Sequence, residues 1–201
     1  MLETHGTTYS MREDTAMKKF FPEKKRTALV VIDVQERLAA AMDQAWLRTM
    51  LENTQRLLQG MEILACPYFI TEQYPRGLGE TVAELGMYRQ KAGAMEKMAF
   101  SCCRDAPLAE ELSRAGVHHV LLAGMETHVC VLQTALDLLA DGYFVHVVRD
   151  AVLSRSRDNW QAGLELMRSA GAVVTTTETA LFQLQETAGT DTFKKISKLV
   201  K

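Results

Sequence analysis

Thr27-Ala-Leu-Val-Val-Ile-Asp33 is an unbroken apolar run that stops on a carboxylate. A strand with one face in water alternates apolar and polar residues, whereas a run without alternation suits a strand buried on both faces, as in the interior of a parallel sheet. Parallel strands cannot be joined by tight turns. Each needs a crossover, and right-handed crossovers put helices on both faces.

The rest of the chain supplies the other strands and the crossovers. Strands are predicted over Cys66–Thr71, Met95–Phe100, Val117–Ala123, Tyr143–Val148 and Ala172–Thr175. Helices are predicted over Ala45–Leu64, from Pro107 to Gly116, over Thr127–Asp141 and over Asp158–Arg168, with two short ones at Thr177–Leu184 and Asp191–Lys198. In the Thr127–Asp141 segment Val129, Leu132, Leu136 and Leu139 recur at helical spacing, and Gly142 stops it. Tyr74–Gly79, with Pro75, Gly77 and Gly79, reads as a loop. The expected fold is α/β: a three-layer αβα, Rossmann-like architecture with about six parallel strands.

Residues 1–25 lack apolar periodicity and are expected to form a tail or loosely docked arm, leaving 26–201 as a single domain. No apolar core follows a basic start, so no secretory signal is expected, and no apolar run is long enough for a membrane span. The formal net charge of −2 argues against a nucleic-acid binder whose affinity rests on phosphate neutralisation. Four cysteines without a C-x-x-C pair, in a chain of 201 residues, need no disulfide framework, so free thiols and a cytoplasmic location are expected.

Ligands of open parallel sheets sit beyond the carboxyl ends of the strands. Three chemically active residues fall there. Asp33 closes the first strand, Lys97 lies in the third, and Cys130 opens the helix after the fourth. A thiol near a helix N-terminus meets unpaired N–H groups that favour the nucleophilic thiolate. A carboxylate beside it can take its proton, and an ammonium between two anions stabilises both. Taken singly, each has a plainer reading, as a core thiol, a capping acid or a solvated lysine.

The remaining reactive types read as structural. Cys66 is expected in the core, and Cys102 and Cys103 as neighbours facing opposite ways. His118 and His119 point to opposite faces of a strand and cannot share a metal, and His146 lies in an alternating strand. There is no Gly-rich phosphate loop and no zinc-spaced Cys/His set, so neither metal nor cofactor is expected.

In Ala28-Leu-Val-Val-Ile-Asp-Val-Gln35, Lys97-Met-Ala-Phe-Ser101 and Gly124-Met-Glu-Thr-His-Val-Cys-Val131, the chain resembles the isochorismatase-like cysteine hydrolases over about residues 20–200. Its closer likeness is to isochorismatase domain-containing proteins of undefined substrate, through Thr71–Gly79 and Phe193–Val200. The resemblance implies an Asp33–Lys97–Cys130 triad. It also implies a non-proline cis peptide between Met125 and Glu126, and an oxyanion hole made by the backbone N–H groups of Glu126 and Cys130. True isochorismatases, which cleave a vinyl ether, lack the thiol, and nicotinamidases carry an Asp/His metal cluster after the second strand. Here Thr71–Glu80 contains no histidine. The expectation is therefore hydrolysis of a small amide-like substrate through a Cys130 thioester, without metal. Gln73, Tyr74 and Phe100 are expected to touch substrate. The resemblance further implies a homo-oligomer, with the C-terminal helices as candidate contacts. The competing readings are a non-covalent vinyl-ether hydrolase, a non-catalytic binding protein on the same fold, and a thiol redox sensor using Cys102 or Cys103.

Overall fold

The computed structural model describes residues 15–201. Six strands form one sheet: β1 (Thr27–Ile32), β2 (Tyr68–Gln73), β3 (Ala94–Lys97), β4 (His119–Met125), β5 (Phe144–Leu153) and β6 (Val173–Thr175). Every pair is parallel, and the order is β3-β2-β1-β4-β5-β6. The helices are α1 (Thr15–Lys18), α2 (Glu36–Ala40), α3 (Gln44–Leu64), α4 (Pro75–Leu78), α5 (Gly86–Ala92), α6 (Leu108–Arg114), α7 (Leu132–Ala140), α8 (Arg157–Ser169), α9 (Thr177–Gln185) and α10 (Asp191–Leu199).

The period of two along β1 sorts its side chains between two cores. Leu29 and Val31 pack with α3, α9 and α10, while Ala28, Val30 and Ile32 pack with α6, α7 and α8. All six residues of β1 are buried, as an unbroken apolar run requires. The architecture is thus the expected three-layer αβα sandwich. The strand order reverses direction between β1 and β4, and the crevice at such a switch point is where this architecture holds ligands.

Several boundaries differ from the sequence reading. β5 continues to Leu153 rather than Val148, because after a register shift β4 pairs Gly124 with Val152 and Met125 with Leu153. The charged Arg149-Asp150 step hid that extension. The Asp150 carboxylate caps α9, accepting from the Thr177 N–H at 2.9 Å. β3 stops at Lys97 because the Asp105 carboxylate pulls the N–H groups of Met98 and Ala99 into a turn, each at 2.8 Å. β2 begins at Tyr68 and runs on to Gln73, beyond the predicted end at Thr71. α2 and α5 were not anticipated, and Pro75–Leu78 forms one helical turn inside the expected loop. The start of the Thr127–Asp141 helix is a π-type turn, Thr127–Val131, in which the Val131 N–H reaches back to the Glu126 carbonyl.

Of the expected arm, residues 1–14 lie outside the described residues. The rest meets the fold, with Gln183 Nε2 donating to the Phe20 carbonyl at 3.0 Å and the Cys66 thiol donating to the Lys24 carbonyl at 3.1 Å.

Gly124 sets how closely β4 can approach β1. Its φ is +114°, and a Cβ there would lie 2.0 Å from the Ile32 carbonyl oxygen. Backbone cannot yield as a side chain can. Gly124→Ala is therefore expected to destabilise the protein by more than about 4 kcal/mol, read as loss of a cooperative unfolding transition; a transition like that of the parent would contradict the assigned packing.

His119 and His146 meet inside the fold, Nδ1 to Nε2 at 3.4 Å. Burial pushes His119 down to about 4 and His146 down to about 3. Unfolded, each titrates at about 6.5. Above that pH neither state takes a proton and the stability is intact. As pH falls from about 6.5 towards 4 the unfolded chain gains protons that the native state refuses, so stability drops. The urea midpoint is expected to fall over that window, and an unchanged midpoint at its acid end would contradict this.

Candidate active site

Asp33 follows β1 with a φ of 51°, in the left-handed region that Asp accepts more readily than branched residues do. Its N–H still bonds the Thr71 carbonyl at 3.2 Å, so the residue is held at the sheet edge. The side chain is wholly buried. One carboxylate oxygen accepts from the Thr71 hydroxyl at 2.8 Å and the other from the Lys97 ammonium at 2.6 Å.

Lys97 is the last residue of β3, and its side chain is also buried. Beyond Asp33, its Nζ donates to Gln73 Oε1 at 2.8 Å and to the Phe100 carbonyl at 3.0 Å. A buried ion pair is tolerable only when its remaining donors and acceptors are met, and here they are. The Lys97 register partner is Gln73, which explains why one carboxamide can reach it.

Cys130 lies in the π-type turn after β4 and is 6% exposed. Its thiol and the Asp33 carboxyl are electrostatically coupled, as are the thiol and Lys97. The three sequence candidates, from three distant stretches, thus meet in one buried cluster. The Met125–Glu126 peptide leading into the turn is cis. The Glu126 carboxylate points away to Arg155, whose Nε lies 2.5 Å from it.

The electrostatics correct one expectation. The sequence suggested a thiol eased towards thiolate by a helix N-terminus. Instead, burial first and the Asp33 charge second push Cys130 up to about 12. The resting group is a thiol. Burial also raises Asp33 above the usual carboxylate range, against the pull of Lys97. Burial works against the Lys97 ammonium too, yet the Asp33 charge keeps it above its ordinary value. A raised carboxyl beside a raised thiol forms a pair that can pass one proton, with a fixed cation beside it.

Gln73 has both ends of its carboxamide engaged by protein, since its Nε2 donates to the Met98 carbonyl at 2.8 Å. Tyr74 and Phe100 are 47% and 53% exposed. A cleft of about 370 Å³ opens beside Lys97, with Tyr74, Arg76 and Met98 among its walls.

Thr71 and Gln35 have no role at the site in the sequence reading, and Cys102 figures there only beside Cys103 and as a redox alternative. Thr71 was placed only as the end of a strand; it shares a face of β2 with Gln73, and a period-two count carried to Gln73 would have paired them. Gln35 is fully buried and ties the end of β1 to β2, accepting from the Gln73 N–H at 2.8 Å and donating to the Gln73 carbonyl at 3.0 Å. Cys102 is buried against Thr71, its sulfur 3.6 Å from the hydroxyl, and burial pushes it up to about 12.

Residues 27–179 match the family model for the isochorismatase domain. The chain belongs to the isochorismatase family. This isochorismatase-family protein is 41% identical over 181 residues to the "Secreted isochorismatase effector Isc1" of Phytophthora sojae, with 87% of this chain and 84% of that protein covered. It is 39% identical over 175 residues to "Isochorismatase domain-containing protein 1" of Salmo salar, with 87% of this chain covered but only 61% of that longer protein. Among solved structures, one titled as the MAR1 ribonuclease of Caenorhabditis elegans superposes with a TM-score of 0.81 at 37% identity, covering 89% of this chain and 91% of that one. One relative is named as secreted, so membership of the family does not fix a compartment. Among the described residues no helix is long and apolar enough to cross a membrane.

Proposed function

We propose that this isochorismatase-family protein is a cysteine hydrolase that cleaves the C–N bond of a small amide-like substrate through a thioester on Cys130. The observation that carries the reading is the buried ion pair of Asp33 and Lys97, at 2.6 Å, with the buried Cys130 thiol electrostatically coupled to both.

Asp33 draws the proton from Cys130 as sulfur attacks the carbonyl carbon. The N–H groups of Glu126 and Cys130 hold the developing oxyanion; one such donor contributes about 3–4 kcal/mol to a transition state. Lys97 offsets the negative charge throughout. Asp33 then gives the proton to the departing amine, which leaves the acyl group on sulfur. Water enters, Asp33 takes its proton, and the thioester breaks to release the acid and restore the thiol. The high resting pKa of Cys130 suits this sequence, because proton transfer to Asp33 is concerted with attack rather than complete beforehand. Tyr74 and Phe100 are the side chains proposed to touch substrate. Gln73, its carboxamide engaged, is proposed to position Lys97.

The test is a screen of small amides and ureides, with the Cys130→Ala variant as control and single-stranded RNA included because a structural neighbour is titled a ribonuclease. Release of amine or ammonia by the parent alone supports the reading. RNA cleavage without any amide turnover overturns it. A homo-oligomer is also proposed, and light scattering that returns the mass of one chain at micromolar concentration would contradict it.

A further inference from the structure

Away from Cys130, α3 and α8 enclose a groove of about 570 Å³ with Trp46, Trp160, Arg149 and Arg157 in its walls. The two indoles pack with centroids 5.6 Å apart. Each carries a cation on its ring: the Arg157 guanidinium lies 4.6 Å from the Trp46 centroid, and that of Arg149 lies 5.5 Å from Trp160. Among the described residues neither arginine makes an ion pair.

Two carboxylates lie nearby, Asp150 in the groove wall and Asp43 beside it, and each is hydrogen-bonded to neutral groups rather than to an arginine. Asp150 accepts from the N–H and hydroxyl of Thr177, at 2.9 and 3.0 Å. Asp43, in an adjoining pocket of about 380 Å³, caps α3 through the Trp46 N–H at 2.9 Å. Two guanidiniums are thus held on one aromatic pair, with no carboxylate among the described residues in ion-pair contact with either.

A stacked guanidinium keeps its N–H edge free for bidentate bonding to a carboxylate or phosphate, and its outer face free for a second flat ring. The groove volume falls in the range of small-molecule sites. We propose that this groove binds a small planar organic anion, a ring bearing one carboxylate or phosphate. Asp33, Lys97 and Cys130 do not line it, so the proposal stands apart from the hydrolase reading.

Trp46 and Trp160 are the two tryptophans of the chain, so intrinsic indole fluorescence reports on this groove. The full chain is titrated with benzoate and with adenosine 5′-monophosphate. Acetate and ribose 5-phosphate serve as ring-free controls, and adenosine as the charge-free control. The expected result is a saturable change with benzoate or the nucleotide, half-saturating at least about tenfold below the matched controls, and benzoate against nucleotide distinguishes carboxylate from phosphate. The Arg149→Gln/Arg157→Gln variant keeps both indoles and removes only exposed side chains. With circular dichroism verifying its fold, it is expected to bind at least about tenfold more weakly. No saturation with either ring-bearing anion, equal response to the controls, or undiminished binding by the variant would each overturn the proposal.

Discussion

Replacing Cys130 by alanine is expected to lower turnover of the best amide substrate by at least about a thousandfold, with little change in the unfolding midpoint. The side chain is nearly buried and beside Asp33, so the variant loses a small volume and a polar neighbour of that carboxyl. Neither loss accounts for a thousandfold effect except through the covalent step. A vinyl-ether hydrolase that works without a nucleophile would keep its activity, as would a protein whose chemistry lies elsewhere in the fold.

The second large effect concerns the ion pair. Lys97→Met leaves the Asp33 carboxyl buried without its cation, and removing one member of such a pair costs about 3–5 kcal/mol. The double variant Asp33→Asn/Lys97→Met is expected to recover part of that stability in urea unfolding, because it leaves no orphaned charge. Its turnover stays abolished. A double variant as unstable as the sum of the singles would mean that the two groups do not act as a pair.

Asp33→Asn separates acid–base work from thiol reactivity. Burial first and the Asp33 charge second hold Cys130 up, while Lys97 pulls it down. Removing Asp33 leaves Lys97 unopposed, so the thiol pKa falls from about 12. Alkylation of Cys130 by iodoacetamide at neutral pH is expected to speed up, while amide turnover drops by about 10²–10⁴-fold with the loss of the proton carrier. Slower alkylation together with lost turnover would place Asp33 in a different role.

Much of this was legible in the residues because burial leaves a pattern. The unbroken run of β1 required a two-sided sheet, and the carboxylate at its end marked the ligand edge. Legibility failed where tertiary contacts override local pattern. Arg149-Asp150 looks like the end of a strand, yet the chain continues as β5 because Gly124 and Met125 are waiting to pair with it. Thr127–Val131 has helical spacing, but folds as a π-type turn that carries Cys130 to Asp33. The strand-and-helix pattern brought the thiol to the same sheet edge as Asp33, and the pattern could not say that burial would keep it protonated. Gln35 holds the site through hydrogen bonds from the end of β1 to β2, and no periodicity reports those.

Rapid-quench mass spectrometry of the protein mixed with its best amide substrate bears most directly on the covalent step. The account predicts a transient adduct on the Cys130 peptide with the mass of the acyl group, formed as amine is released and absent in Cys130→Ala. Amine release at the parental rate with no adduct on that peptide would contradict it.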